Sequence, residues 1–191
     1  MTARESSSST AVSPRGVIQV RVRDIGQLFN SIDPSPFQEK DLDDDATEFI
    51  ISWAKEFQAN EALTLLVHLE RAPVPPEAAG DLSLAVHSYF GHRSELTQMQ
   101  LRQLLRTGRT SLVIGALFLA GCIVGGNGIA TAYHQSEFAQ VVQQSLLIGG
   151  WVAMWRPMEI FLYDWWPILR ERRLYDRLGR MQVKIQCETK N

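Results

Sequence analysis

Three groups of residues have types and spacings that could do chemistry. The first is an acidic run of Asp33, Glu39, Asp41, Asp43, Asp44, Asp45 and Glu48. Asp41, Asp43 and Asp45 have the alternate spacing that opens an EF-hand calcium loop, which also needs Gly at its sixth position and Glu at its twelfth. Those positions hold Ala46 and Ser52, so the pattern fails. Carboxylates just ahead of an apolar periodic stretch instead cap free N–H groups and complement the helix dipole. A divalent-cation site and a surface that docks a partner are the functional alternatives.

The second group is the string FNSIDPSPF, Phe29 to Phe37. Pro34 and Pro36 fix their own backbone and restrict Asp33 and Ser35 before them. An ordered loop is expected. Either Phe29, Ile32 and Phe37 staple it onto a core, or it forms a rigid recognition surface with Asp33 and Ser35 exposed. Phe29, Asp33, Ser35 and Phe37 are therefore candidate partner contacts.

The third group is Arg156 and Glu159, which can pair at i, i+3 on a helix within an otherwise apolar stretch. Ionisable residues inside a membrane are costly and often functional. Snorkelling lowers that cost, and Arg156 beside Pro157 can equally mark the end of a span. The functional form would be a docking pair or a lipid-headgroup clamp. Arg170, Arg172 and Arg173 follow on a basic helix and are further candidate lipid or partner contacts. The histidines add little, because His87 and His92 are five apart and do not share a helix face as ligands at i, i+4 would. No nucleophile–base arrangement, CxxC or glycine-rich phosphate loop is present, so no catalytic residue, cofactor or metal is expected.

The elements that must position these residues lie in a chain of 191 residues with 45% hydrophobic and 21% charged residues and a net charge of −2. Mean hydropathy is −0.10 and the isoelectric point about 6.1. These averages exclude a wholly disordered chain, a collagen repeat and a transporter of many spans. They also leave no basic footprint for nucleic acid. Two cysteines, Cys122 and Cys187, do not make a disulfide scaffold.

Residues 1–16 are small and polar and are expected to be a disordered tail without a secretory signal. Residues 17–109 read as an α+β cytoplasmic domain. Period-two alternation predicts strands over 17–23 and 63–69, with Leu66 suggesting burial on both faces. Ala46, Phe49, Ile50, Trp53, Ala54 and Phe57 predict a helix over 43–58, closed near Asn60. A long helix is expected over 76–107, with an irregularity near Gly91. From Thr110 to Ser136 there is no Lys, Arg, Asp or Glu, and a helix of about 20 apolar residues crosses a bilayer. A first span is placed at 110–132, a short outer connection at 133–142, and a second span at 143–166 ending on the Trp165–Trp166 belt. Residues 167–191 read as a basic interfacial helix and a third strand over 181–187 that rejoins the sheet. The hairpin is then an insertion in one α+β domain of two to three helices. Gly121 and Gly125, with Gly149 and Ala153, have small-xxx-small spacing that lets helices pack closely, within the hairpin or between copies.

Basic residues precede the first span and follow the second, with none between Thr110 and Trp155. The positive-inside rule puts both termini in the cytoplasm. The strings FNSIDPSPFQEKDLDDDATEFIISWAKE and WRPMEIFLYDWWPILRERRLYDRL resemble an uncharacterised family of small bacterial membrane proteins, over roughly residues 17–186. The resemblance implies a bacterial inner-membrane setting and two spans, and carries no activity or site residue. The expected function is a non-enzymatic membrane-anchored adaptor or accessory subunit, in contact with the lipid bilayer and with other membrane proteins or further copies of itself. The alternatives are an oligomer moving a small solute through Arg156, Glu159 and Gln140, Gln143 and Gln144, and a membrane-surface hydrolase or transferase using Asp33, Asp41 or His68.

Overall fold

A computed structural model describes residues 16–34, 36, 40–70, 78–133 and 136–187. The protein is mostly helical, with one small sheet of three parallel strands. Its elements run β1 (Val17–Val22), a 3-10 turn (Ile25–Leu28), α1 (Asp44–Glu56), β2 (Thr64–Leu69), α2 (Ala78–Ala132), α3 (Glu137–Glu159), a π-helical segment (Ile160–Asp164), α4 (Trp165–Leu178) and β3 (Gln182–Cys187). The chain divides into two compact units. One is Met1–His92 with Leu174–Asn191, and the other is Arg93–Arg173.

In the first unit β2 is the central strand. Ile18 pairs with Leu65 and Leu65 with Val183, so the apolar positions of all three strands share one face. Parallel neighbours need a crossover connection. Here β1 reaches β2 through α1, and β2 reaches β3 only after α2, α3 and α4. Strands in chain order, joined by crossovers of one hand, put every connection on the same face. The core agrees. Ile50 and Ala54 of α1, Leu82, Val86 and Phe90 of α2, and Tyr175 and Leu178 of α4 belong to one buried cluster with Ile18, Leu65, Val67 and Leu69. Phe90 stacks on Tyr175 at 6.4 Å, and a His87 ring N–H donates to the Met181 carbonyl at 2.8 Å, tying α2 to the start of β3. Leu66 is only half-buried, on a face it shares with Gln19 and Lys184. Burial on both faces is therefore not what its position gives. Gly16 holds φ +81, and a Cβ there would run into the Ala62 carbonyl, so this entry into β1 requires glycine.

Asp43 caps α1, its carboxylate accepting from the Asp45 N–H at 3.1 Å. The helix ends at Glu56 with Phe57 as its extended C-cap, earlier than Asn60. It turns Phe49 and Trp53 outward, 41% and 43% exposed.

In the second unit α2 and α3 run antiparallel. Gly108 meets Ile160, Gly115 meets Ala153 and Met154, Gly150 meets Leu119 and Cys122, and Gly126 meets Gln143. Position advances along α2 as it recedes along α3, which fixes the register. α2 is one uninterrupted helix where two were expected, because a change in hydropathy at Arg109 removes no backbone hydrogen bond. Gly91 does not break it either. The connection is also shorter than expected. Ser136 caps α3 by accepting from the Ala139 N–H, so the helix begins at Glu137 and not near 143. Among the described residues, α2 alone is long and apolar enough to cross a membrane by length and composition.

Candidate functional site

The loop after β1 is a pinched structure. Phe29 and Leu42 form an isolated antiparallel bridge and are both buried. Asn30 N–H donates to the Asp41 carbonyl at 2.9 Å, and Asp43 N–H to the Leu28 carbonyl at 2.9 Å. Asp33 closes the loop from within, its Oδ2 accepting from the Asp41 N–H at 2.8 Å. Phe29 therefore anchors the loop in the core and Asp33 holds its shape, so neither presents itself as an exposed contact. Ser35 and Phe37 lie outside the described residues. Among the described residues of the loop, Ile32 is an apolar side chain on display, 87% exposed. The acids at 43–45 cap and open α1, and among the described residues no cluster of His, Cys, Asp and Glu could hold a metal.

The small-residue seam lies in a different register from the sequence motif. Gly121, Gly125 and Gly149 have open space where a Cβ would stand, whereas Gly108, Gly115, Gly126 and Gly150 sit against the opposite helix. Ala153 does lie on the seam, its carbonyl 3.2 Å from a Cβ built on Gly115. Pro157 supplies no N–H to that carbonyl four residues earlier, and Gly115 sets no side chain against it. Farther along the pair, Gln143 Nε2 donates to Asn127 Oδ1 at 2.8 Å between the helices.

The polar centre of this unit is at the other end. Arg156 Nη1 donates to Glu159 Oε2 at 2.9 Å and lies 3.9 Å from Asp164 Oδ2. The arginine and Glu159 are substantially exposed, at 66% and 42%. In water such a pair contributes about 0–1 kcal/mol, so stability does not account for it. The helix gains a π-turn directly after Pro157, and the Ile160 N–H is shared between the Arg156 and Pro157 carbonyls. The π-turn brings Asp164 back towards Arg156.

Beside the cluster is a cleft of about 410 Å³ between α2 and the α3–α4 run. Gln100, Gln103, Leu104, Thr107 and Ser111 line one wall; Arg156, Ile160 and Ile168 line the other. Apart from Leu104 the α2 residues are polar and recur at helical spacing, a stripe that passes Arg109 into the apolar stretch. That continuation was the available signal in the sequence, and reading for charge alone misses it. Arg170 and Arg173 of the basic helix are exposed, while Arg172 is half-buried.

No protein-family model, curated protein or solved structure matches the chain. The resemblance to small bacterial membrane proteins rests on its two strings alone.

Proposed function

We infer that this chain is a membrane-anchored accessory protein that acts through protein–protein contacts of its three-stranded domain. The observation carrying the anchor is the outward direction of the apolar side chains on α2 and α3. The most apolar stretch of α2 has a mean hydropathy of 2.0 yet is only 17% buried. A soluble protein's core helix of that composition would be mostly covered. Leu117, Phe118 and Val124 on α2, and Trp151, Val152 and Trp155 on α3, are all more than half exposed. Monomeric soluble proteins rarely expose so contiguous a surface; lipid is its natural cover. The pairing of α3 along the uncharged stretch of α2 supports a return crossing, despite the glutamines on α3. The Asn127–Gln143 bond then answers the need of polar side chains for partners in hydrocarbon. The distribution of arginines supports a cytoplasmic side for both ends.

The contact surface is supported by Phe49 and Trp53, whose ring centroids are 6.0 Å apart on the outer side of α1. Exposed acids Asp45, Glu48 and Glu56 surround them on the helix. Aromatic residues are enriched in interface centres, and this pair suits an apolar segment carrying basic residues. The test is photocrosslinking in intact membranes, with a photoreactive phenylalanine at Trp53 and, separately, at Ala59. A discrete adduct from Trp53 alone, lost on Phe49→Ser, is expected. Equal or absent labelling at both positions refutes the contact surface. Release of the chain by alkaline carbonate refutes the anchor.

A further inference from the structure

We propose that the cleft beside Arg156 binds the headgroup of a phospholipid with a primary amine, a phosphoethanolamine group. The inference rests on the membrane reading above and names a ligand for that membrane face. Three observations converge on it. The first is depth. Gly108 lies opposite Ile160 and Gly115 opposite Ala153, so Arg156 stands level with the α2 residues between them. Arg109 is the last cation on α2 before the uncharged stretch. Arg156 is therefore at the boundary between hydrocarbon and headgroups.

The second is charge. Arg156 has two carboxylates, Glu159 and Asp164, within 4.0 Å of one guanidinium nitrogen. The three carry one positive and two negative charges. A plain anion meets net repulsion there, and a plain cation is drawn to the carboxylates but gives the arginine nothing to bind. A zwitterion with phosphate and ammonium a few ångströms apart satisfies both signs. The guanidinium fork matches a phosphate, and a primary ammonium has three N–H donors to give to two carboxylates. A quaternary ammonium has none to give.

The third is the lining. Thr107 and Ser111 bring hydroxyls, and Gln100 and Gln103 amides, along the α2 wall, interrupted by Leu104. Ile160 and Ile168 form the other wall, and the exposed apolar faces of α2 and α3 continue beyond it. Acyl chains have a surface to lie on, which favours the lipid over its free headgroup.

The full chain is reconstituted with equal parts of dioleoyl phosphatidylethanolamine, phosphatidylcholine and phosphatidylglycerol, floated on a density gradient, then extracted gently and weighed by native mass spectrometry with its retained lipid. Flotation with vesicles, and phosphatidylethanolamine retained about tenfold over the other two, are expected, the size of one charge-assisted hydrogen bond. Arg156→Leu should abolish retention of all three lipids, and Arg156→Lys should keep part of it. Glu159→Gln with Asp164→Asn should leave the phosphate contact and erase the preference for the primary amine. Glycerophosphoethanolamine at the lipid's concentration should leave the lipid bound. Flotation without lipid preference, or a preference untouched by the carboxylate variants, overturns the proposal and leaves the anchor standing. Displacement by the soluble headgroup overturns the lipid assignment. Failure to float removes both readings.

Discussion

The seam between α2 and α3 gives the sharpest mutational contrast, between two adjacent glycines. A Cβ on Gly150 would stand 2.7 Å from Leu119 Cδ1, 3.3 Å from Leu119 Cα and 3.4 Å from Cys122 Cβ. Carbon atoms pack best at about 3.5–4.0 Å. The Leu119 side chain can swing away, but its Cα can retreat only if the helices part by a few tenths of an ångström. Gly150→Val adds two more carbons on the same side. Overpacking of this kind costs about 1–3 kcal/mol, which converts to roughly 5- to 150-fold in the equilibrium between closed and parted helices. Gly149→Val, one residue away, places its side chain in open space and should cost almost nothing. Cys122 supplies the assay, since it lies on the seam at 8% exposure. In a Cys187→Ser background in detergent, its alkylation by N-ethylmaleimide requires transient opening, so the rate follows the opening equilibrium when reclosing is fast. Gly150→Val should accelerate labelling by that factor and Gly149→Val should not. Equal acceleration by both, or by neither, would show that the register is wrong.

Other substitutions probe separate parts of the chain. Asn127→Leu should lower the thermal stability of the solubilised protein by about 0.6–2 kcal/mol, and adding Gln143→Leu should restore part of it by removing the stranded partner; strictly additive losses would deny the bond. Asp33→Ala removes the acceptor for the Asp41 N–H and should cost about 1 kcal/mol, read as faster limited proteolysis between residues 30 and 41. Gly16→Ala forces a side chain into a left-handed position against the Ala62 carbonyl and should destabilise the sheet by more than about 1 kcal/mol, seen as a lower denaturant midpoint. An unchanged midpoint would mean β1 begins differently.

The strands were legible to within a residue at each end, because β-branched alternation needs only local residues. Their parallel pairing was not, since it depends on where long connections return. The capping role of Asp43 was legible as well; the capping carboxylate and the N–H that donates to it lie two residues apart in the chain. Phe49 and Trp53 have core spacing on α1 yet face outward. Periodicity finds an apolar stripe, but the stripe is wider than the strip that β1 and β2 can cover. Of the two uses open to the glycine motif, packing within the α2–α3 pair does not involve Gly121 and Gly125, which have the right spacing but lie off the face that meets α3. The seam is set by Gly108 and Gly115 and their antiparallel partners, which no single-helix motif encodes. The approach of Asp164 to Arg156 is made across the π-helical segment Ile160–Asp164, a change of helix type that no residue spacing announces.

The place of β3 in the sheet has a consequence for biosynthesis. β2 emerges from the ribosome early with one edge filled by β1, and its other edge waits for Gln182–Cys187. Everything from α2 to α4 must be made before that edge closes. A chain in which α2–α4 fail to bring β3 back leaves the domain open along an apolar strand of the kind that invites aggregation. Completion of the sheet thus reports that the whole run from α2 to α4 has folded, and an unfinished edge marks the copies in which it has not.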